Sequence, residues 1–320
     1  MERVNEVLCA GILVADHVCT PMDTLPEEGR LVAVEAMYLM TGGCAANVAV
    51  NVAKQEIPVG VVGRVGEDYW GRFIQEDLGV RGVDTREVVT SPEEQSSQTM
   101  ILLCNGQDRR FVHTFGANRR FRAQDVNREH LRGVKVFYLG GYLVLPGLIP
   151  DELAFLFRSC REQGIRTVLD VVVPTGFRYQ DELEAVLPHT DVFLPNNDEA
   201  EMLTGETAPL RQAAVLQAKG AKTVVITRGG EGLLCASGGQ TWQAPHFPSE
   251  VVDQTGAGDA FCAGFITGMV RGLDLAGCIR YGSALGASCV RSIGCYEGVF
   301  TASETARFLR ENRLEISRLD

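Results

Sequence analysis

The chain has 320 residues, 45% hydrophobic and 22% charged, the balance of a globular protein with ample apolar material for a core rather than of a disordered chain. Its formal net charge of −11 argues against affinity drawn from the phosphate backbone of nucleic acid or from an acidic membrane surface, so neither is expected as a partner. Ten scattered cysteines without a Cys-x-x-Cys pair point to neither a zinc site nor a disulfide framework and suit a reducing cytoplasm; no apolar run approaches the ~18 residues of a membrane span, and Met1-Glu2-Arg3-Val4-Asn5-Glu6 lacks the flank and run of a signal peptide.

Residues 6–15 form an apolar run that ends at Asp16-His17, as expected of a buried strand with a polar pair at its C-terminal end, where open parallel sheets bind ligands. Residues 31–38 predict another strand. Gln98–Cys104 and Arg109–Thr114 read as a hairpin around Asn105-Gly106, its loop lengthened by Gln107 and Asp108. These strands do not alternate with helices, so they are assigned to a small β-sheet lid, about 15–40 and 96–116, covering the main sheet. Between them Thr41-Gly42-Gly43-Cys44-Ala45-Ala46-Asn47 opens a helix of small residues. Its glycines permit close approach of a compact polar ligand, and the Asn47 amide both donates and accepts; tight burial of the helix is the plainer alternative. Val59–Gly71 gives strand, turn and helix.

From residue 134 strands and helices alternate: strands at 134–139, 167–172, 191–194 and 223–227, with helices after Pro150, near 181–187 and from Asp198. Such alternation predicts an α/β, Rossmann-like, doubly wound and mostly parallel sheet, and without repeats or a low-complexity linker residues 1–320 are read as a single domain.

Four strand or helix ends carry candidate chemistry. Asn196 and Glu199, three positions apart after a strand, suit a hydrated magnesium ion, or simply a capped helix start. Thr227-Arg228-Gly229-Gly230-Glu231-Gly232 is a strand-to-strand turn whose amides suit a nucleotide, or a plain glycine hairpin. Ser288–Gly298 is a loop rich in carbonyls, either a cation cradle or a helix C-cap. In Val251–Phe261, Gly256 and Gly258 bring amides at a helix start close to an anion, with Asp259 in the first turn; the alternative is a glycine turn with an aspartate cap.

In this order the motifs resemble the ribokinase-like (PfkB) family of carbohydrate kinases over nearly the whole chain, from Gly11–Asp16 through Gly42-Gly43 and Asn47, Val65-Gly66-Glu67-Asp68 with Gly71, Asn196-x-x-Glu199 and Thr227-x-Gly229-x-x-Gly232 to Asp253-x-Thr255-Gly256-Ala257-Gly258-Asp259. The resemblance implies transfer of the γ-phosphoryl group of ATP to the hydroxyl of a small sugar or nucleoside, with magnesium and with potassium in some members. It also implies a homodimer through the lid. On the matching residues it implies Asp259 as base and Gly256, Ala257 and Gly258 as anion hole. Asp16, Gly42, Gly43 and Asn47 would hold sugar hydroxyls, and Asn196, Glu199, Thr227, Gly229, Gly232 and Ser283 would hold ATP and magnesium. Asp253, Thr255, Cys289, Ser292, Gly294 and Gly298 would form a monovalent-cation site.

Departures point away from ribose: Cys44 stands where ribokinases carry lysine, Gly141-Tyr142-Leu143 where they carry a glutamate facing the sugar, and Ser283 where many members have asparagine beside the adenine. Phe111, His113 and Asn118 are expected to tune the substrate, although His113 by itself reads as a solvated strand residue rather than a ligand, and Arg109 and Arg110 to matter if the substrate is already phosphorylated. Alternatives are a nucleoside kinase of the same fold and a non-catalytic sugar-binding regulator, although the latter would lose the base or the hole. A dinucleotide oxidoreductase is disfavoured, because Gly256-Ala257-Gly258-Asp259-Ala260-Phe261 lacks the third glycine and lies late in the chain.

Overall fold

The computed structural model describes residues 4–107, 109–174 and 180–319; Met1–Arg3 of the N-terminus and Asp108 of the hairpin loop lie outside the described residues. In chain order the strands are β1 (Val7–Gly11), β2 (Val14–Cys19), β3 (Met37–Gly42), β4 (Val59–Gly66), β5 (Asp84–Ser91), β6 (Gln98–Leu102), β7 (Arg110–Thr114), β8 (Val136–Tyr142), β9 (Arg166–Val171), β10 (Val192–Phe193), β11 (Thr223–Thr227), β12 (Leu233–Ser237), β13 (Gln240–Ala244) and β14 (Ser317–Leu319). The α-helices are α1 (Cys44–Ala53), α2 (Tyr69–Val80), α3 (Pro150–Glu162), α4 (Gln180–Val186), α5 (Asn197–Thr204), α6 (Pro209–Ala218), α7 (Ala257–Val270), α8 (Leu275–Cys289) and α9 (Ala302–Glu311).

Every residue of β1 and β8 is buried, which a strand achieves only when helices cover both of its faces. Ten strands accordingly form one sheet in the order β14-β13-β12-β11-β10-β9-β8-β1-β4-β5, parallel from β11 to β5 and antiparallel from β11 to β14. One face buries Val48 of α1, Phe265 of α7 and Ile279 of α8; the other buries Phe157 of α3, Leu203 of α5 and Leu216 of α6. The sheet is thus doubly wound. Strand order reverses at β1, which lies between β4 and β8, and a crevice beyond the C-terminal ends of the strands follows from that reversal. Among the described residues no helix is long and apolar enough to cross a membrane.

A separate four-stranded sheet has the order β3-β2-β6-β7. Two expectations are corrected here. The apolar run over 6–15 is not one strand: the chain leaves the large sheet at Gly11, whose φ of 135° and whose approach to Gly140 exclude a side chain, and re-enters pairing as β2 of the small sheet. Asp16 therefore sits mid-strand in the small sheet, paired with Met40 and Thr99, and not at the end of β1. The strand expected over 31–38 lies later, at Met37–Gly42, because its register is set by β2, with Gly42 opposite Val14 and Met37 opposite Cys19; Leu31, beyond that ladder, is 87% exposed.

Candidate active site

The turn before α7 is built by its own side chains. Asp253 Oδ1 accepts from the Thr255 amide at 2.9 Å and the Thr255 hydroxyl at 2.6 Å, and Asp253 Oδ2 accepts from the Gly294 amide at 3.2 Å. Gly256 then caps α7 with a left-handed φ of 75°, packed so closely that a Cβ there would lie 2.6 Å from Cys295 Cα. Only glycine accepts both conditions. The amides of Gly256 and Gly258 have no hydrogen-bond partner among the described residues, whereas that of Ala257 donates to Gln254 O at 3.3 Å. Two orphan donors at a helix N-terminus attract an anion.

Asp259, one turn in, accepts from Asn47 Nδ2 of α1 at 2.8 Å. Burial raises its carboxyl above the ordinary aspartate range, opposed by the bonds from Asn47 and Cys44. Asp170, at the end of β9, is a residue the sequence reading missed. Its carboxylate accepts from Tyr138 Oη at 3.1 Å, and one ligand atom each of Asp170, Asp259 and Cys44 lie within 4.8 Å of one another. Burial, together with Glu199 and Asp259, holds Asp170 far above its usual value. Burial also lifts Glu199 to about 7, and lifts Asp16 to about 6 against a bond from Thr99. A concentration of reluctant carboxylates favours a bound cation.

On one side of Asp259 opens a cleft of about 750 Å³ whose lining includes Asn196, Thr227, Gly229, Gly232, Ala257, Gly258 and Ser283, which the structure therefore brings together. Glu199 is not in that lining. It forms a capping box with Asn196: Asn196 N donates to Glu199 Oε2 and Glu199 N to Asn196 Oδ1, both at 2.9 Å. The helix cap weighed as the plainer alternative is thus present. His246 and Phe247 also line this cleft; lying on a coil segment, they gave no periodic signal.

On the other side the small sheet forms a roof. A Cβ on Gly42 would fall 1.8 Å from Asp16 Oδ2, and one on Gly43 2.4 Å from Ile12 O, so the glycine pair makes room for the Asp16 carboxylate and the β1–β2 turn. Asp16, Met40, Thr41, Arg109, Asp253 and Thr255 enclose a space of about 30 Å³, room for a water molecule and not for a sugar. Arg109 closes it from the β6–β7 loop, its guanidinium 3.4 Å from Asp253 and hydrogen-bonded to the Thr255 hydroxyl. The side chains expected to tune the substrate have these surroundings. Asn118 is spent on Leu13, to which it donates at 2.9 Å and from which it accepts at 3.2 Å; Phe111 is 56% exposed; His113 bonds Thr99 at 3.0 Å. Tyr142 is buried and its hydroxyl donates to Glu182 O at 3.3 Å.

The cation-site candidates converge at the C-terminus of α8. Cys289 Sγ lies 3.4 Å from Thr255 O, 3.6 Å from Cys295 O and 3.9 Å from Gly294 O. Ser292 Oγ is buried without a partner among the described residues, and a Cβ on Gly298 would meet it at 2.5 Å and the carbonyls of Ser288 and Cys289 at 2.9 Å.

Three comparisons bear on this arrangement. Over 305 residues, 93% of this chain and 96% of the relative, it is 29% identical to the ribokinase of Haemophilus influenzae; over 276 residues, 85% and 92%, it is 31% identical to the cytidine kinase of Thermococcus kodakarensis. The structure of Arabidopsis thaliana ribokinase complexed with ribose and ATP superposes with a TM-score of 0.83 at 25% identity, covering 96% of this chain and 99% of that one. The description "pfkB family carbohydrate kinase" matches residues 4–302. The chain belongs to the pfkB family of carbohydrate kinases.

Proposed function

We propose that the chain transfers the γ-phosphoryl group of ATP to a hydroxyl of a small sugar or sugar-like substrate, with Asp259 as base and the amides of Gly256, Ala257 and Gly258 as anion hole. The observation that carries this reading is the juxtaposition of a half-buried carboxylate with two orphan amides, between a cleft large enough for a nucleotide and a roof bearing Asp16. A second one supports the sugar. Asn47 Oδ1 is buried without a partner among the described residues, and a substrate hydroxyl beside Asp259 would supply the missing donor.

As the substrate oxygen bonds to the γ-phosphorus and the bond to the β-phosphate oxygen breaks, the hydroxyl proton passes to Asp259. The loose transition state asks for alignment and charge stabilisation more than for a strong base. Gly256 and Gly258 offer their amides directly; Ala257 joins them by giving up its bond to Gln254. Asn196, Glu199 and Asp170 would hold a hydrated magnesium ion, whose chemistry is to neutralise phosphate charge, and the raised carboxyls of Glu199 and Asp170 fit a site completed by a cation. The loop oxygens around Ser292 suit potassium. Met37, Met100 and Val112 share one face of the small sheet by register and are exposed, a surface suited to a second copy of the chain. Ten free cysteines, all but Cys44 buried, suit a reducing cytoplasm.

A sugar must displace Arg109 from the 30 Å³ space, and a substrate carboxylate or phosphate would compensate that guanidinium. The panel that tests the function is therefore ribose, fructose, other ketoses, 2-keto-3-deoxy acids, sugar phosphates and nucleosides, the last kept as the alternative that the cytidine kinase likeness favours. ADP release with Mg-ATP and potassium is expected for one class. Tight sugar binding with no ADP release across the panel would support the non-catalytic regulator instead.

A pH profile checks the Asn47 contact. Asn47→Ala removes a bond that holds the Asp259 carboxyl down, so the acidic limb of kcat/KM moves to higher pH. An unmoved limb would contradict the contact's role.

A further inference from the structure

The cleft beside Asp259 is smaller than another cavity, of about 1110 Å³, at the opposite edge of the large sheet. This one opens where β9, β10 and β11 begin, at Arg166, Val192 and Thr223, whereas Asp170 and Thr227 stand at the other ends of their strands. Four residues of strand put about 13 Å between the two edges, so they are separate sites.

The two walls differ in chemistry. One is apolar: Leu273 and the half-buried Leu275 form its surface, with Phe265, Met269 and Cys278 buried behind them. The other carries Arg158, Arg161, Arg166 and Lys222 against only Glu162 and Asp191, in a chain whose net charge is −11. Part of that charge is structural. Arg161 donates to Pro188 O at 2.9 Å and lies 3.5 Å from Asp191, Lys222 meets the same Asp191 at 2.7 Å, and cations here offset the C-terminal partial charge of α3. Arg158 and Arg166 remain. Arg158 reaches Glu162 only at 4.0 Å and otherwise rests 5.2 Å over the Phe155 ring, and Arg166 has no ion pair among the described residues. Their field acts inside the cavity: with burial, Arg161 and Arg158 hold His189 below its usual range, and Arg166 draws the Cys278 thiol down against a burial that still leaves it at about 11.

Surplus guanidiniums facing an apolar wall suit an anion with a flat apolar body, in a volume at the upper end of small-molecule sites. We propose that this edge is a second ligand site, taking a nucleoside phosphate with its base against Leu273 and Leu275 and its phosphates against Arg158 and Arg166. The Thr223 and Ser237 hydroxyls, 2.7 Å apart on its floor, offer polar contacts to the base edge or ribose.

The test is calorimetric titration with ADP, followed in parallel by NMR of labelled histidine side chains. Two sites per chain are expected, and ADP should raise the titration midpoint of His189 by placing phosphate beside it. Arg158→Gln with Arg166→Gln, both on the surface, should weaken one site by at least about tenfold and abolish the His189 response while turnover and the other site stay as they were. A single site with His189 unmoved at millimolar ADP overturns the proposal, as does an unchanged titration in the double variant. Inorganic pyrophosphate separates the two walls: a His189 response equal to that with ADP would overturn the role given to the apolar one. Since these readouts are of binding, their failure is distinguishable from a failure of the kinase reading.

Discussion

Asp259→Asn is expected to lower kcat by about three orders of magnitude with little change in ATP affinity. The substitution keeps shape and the acceptor for Asn47 Nδ2, 2.8 Å away, and removes only the capacity to take a proton. ATP is expected in the cleft lined by Thr227, Gly229 and Ser283, on the far side of the amides, so its binding should not depend on that charge. The variant has a second signature, in stability. Burial raises the Asp259 carboxyl in the fold above its unfolded value, so the native state binds a proton that the unfolded chain releases. The native state therefore loses stability as pH rises from the ordinary aspartate range through the raised value. The Asp259→Asn variant, with a neutral amide in that place, has no such loss. Thermal melts should show the variant more stable than the parent at neutral pH, with the gap closing below about pH 4. Equal melts at all pH values would contradict the burial cost, and undiminished turnover would contradict the base.

Gly256→Ala is the second large effect. The residue has a φ of 75°, and the added methyl would sit 2.6 Å from Cys295 Cα and Cβ. Strain and overlap together should cost about 2–4 kcal/mol of stability. Because the 253–256 turn must shift to relieve them, the amides leave the position where charge develops, and kcat should fall at least about a hundredfold. Gly258→Ala is the contrast. A Cβ there meets nothing within 4 Å, so folding is unaffected while the methyl projects into the cleft, and ATP affinity falls instead. Denaturant midpoints and steady-state constants for the two variants separate these outcomes; a Gly256→Ala enzyme as stable and fast as the parent would remove the geometric basis of the anion hole.

What was legible in the sequence followed from local rules. The glycine turn before Asp259, the alternation after residue 134 and the hairpin around Asn105-Gly106 each depend on neighbours a few positions apart, and each stands in the structure. Asp170 was not legible. It ends an apolar strand, and only the pairing of β8 with β9, the Tyr138 hydroxyl and the return of α7 make it part of the site. The split of residues 6–15 between two sheets was equally hidden, because Gly11 reads as one more small residue until Gly140 is placed against it. Nor was the contact of Asn118 legible, since its partner Leu13 lies 105 positions away in the chain. The substrate is least legible of all: the space proposed for it is lined by Asp16, Arg109 and Asp253, brought together from three distant segments.

The central claim is phosphoryl transfer to a sugar hydroxyl with Asp259 as base, and phosphorus NMR tests it most directly. The parent chain and Asp259→Asn would be followed side by side with Mg-ATP and the substrate that releases ADP. A phosphomonoester resonance should grow in step with ADP for the parent and stay absent on the same timescale for the variant. Inorganic phosphate as the only product, or a phosphomonoester formed equally fast by Asp259→Asn, would contradict the account.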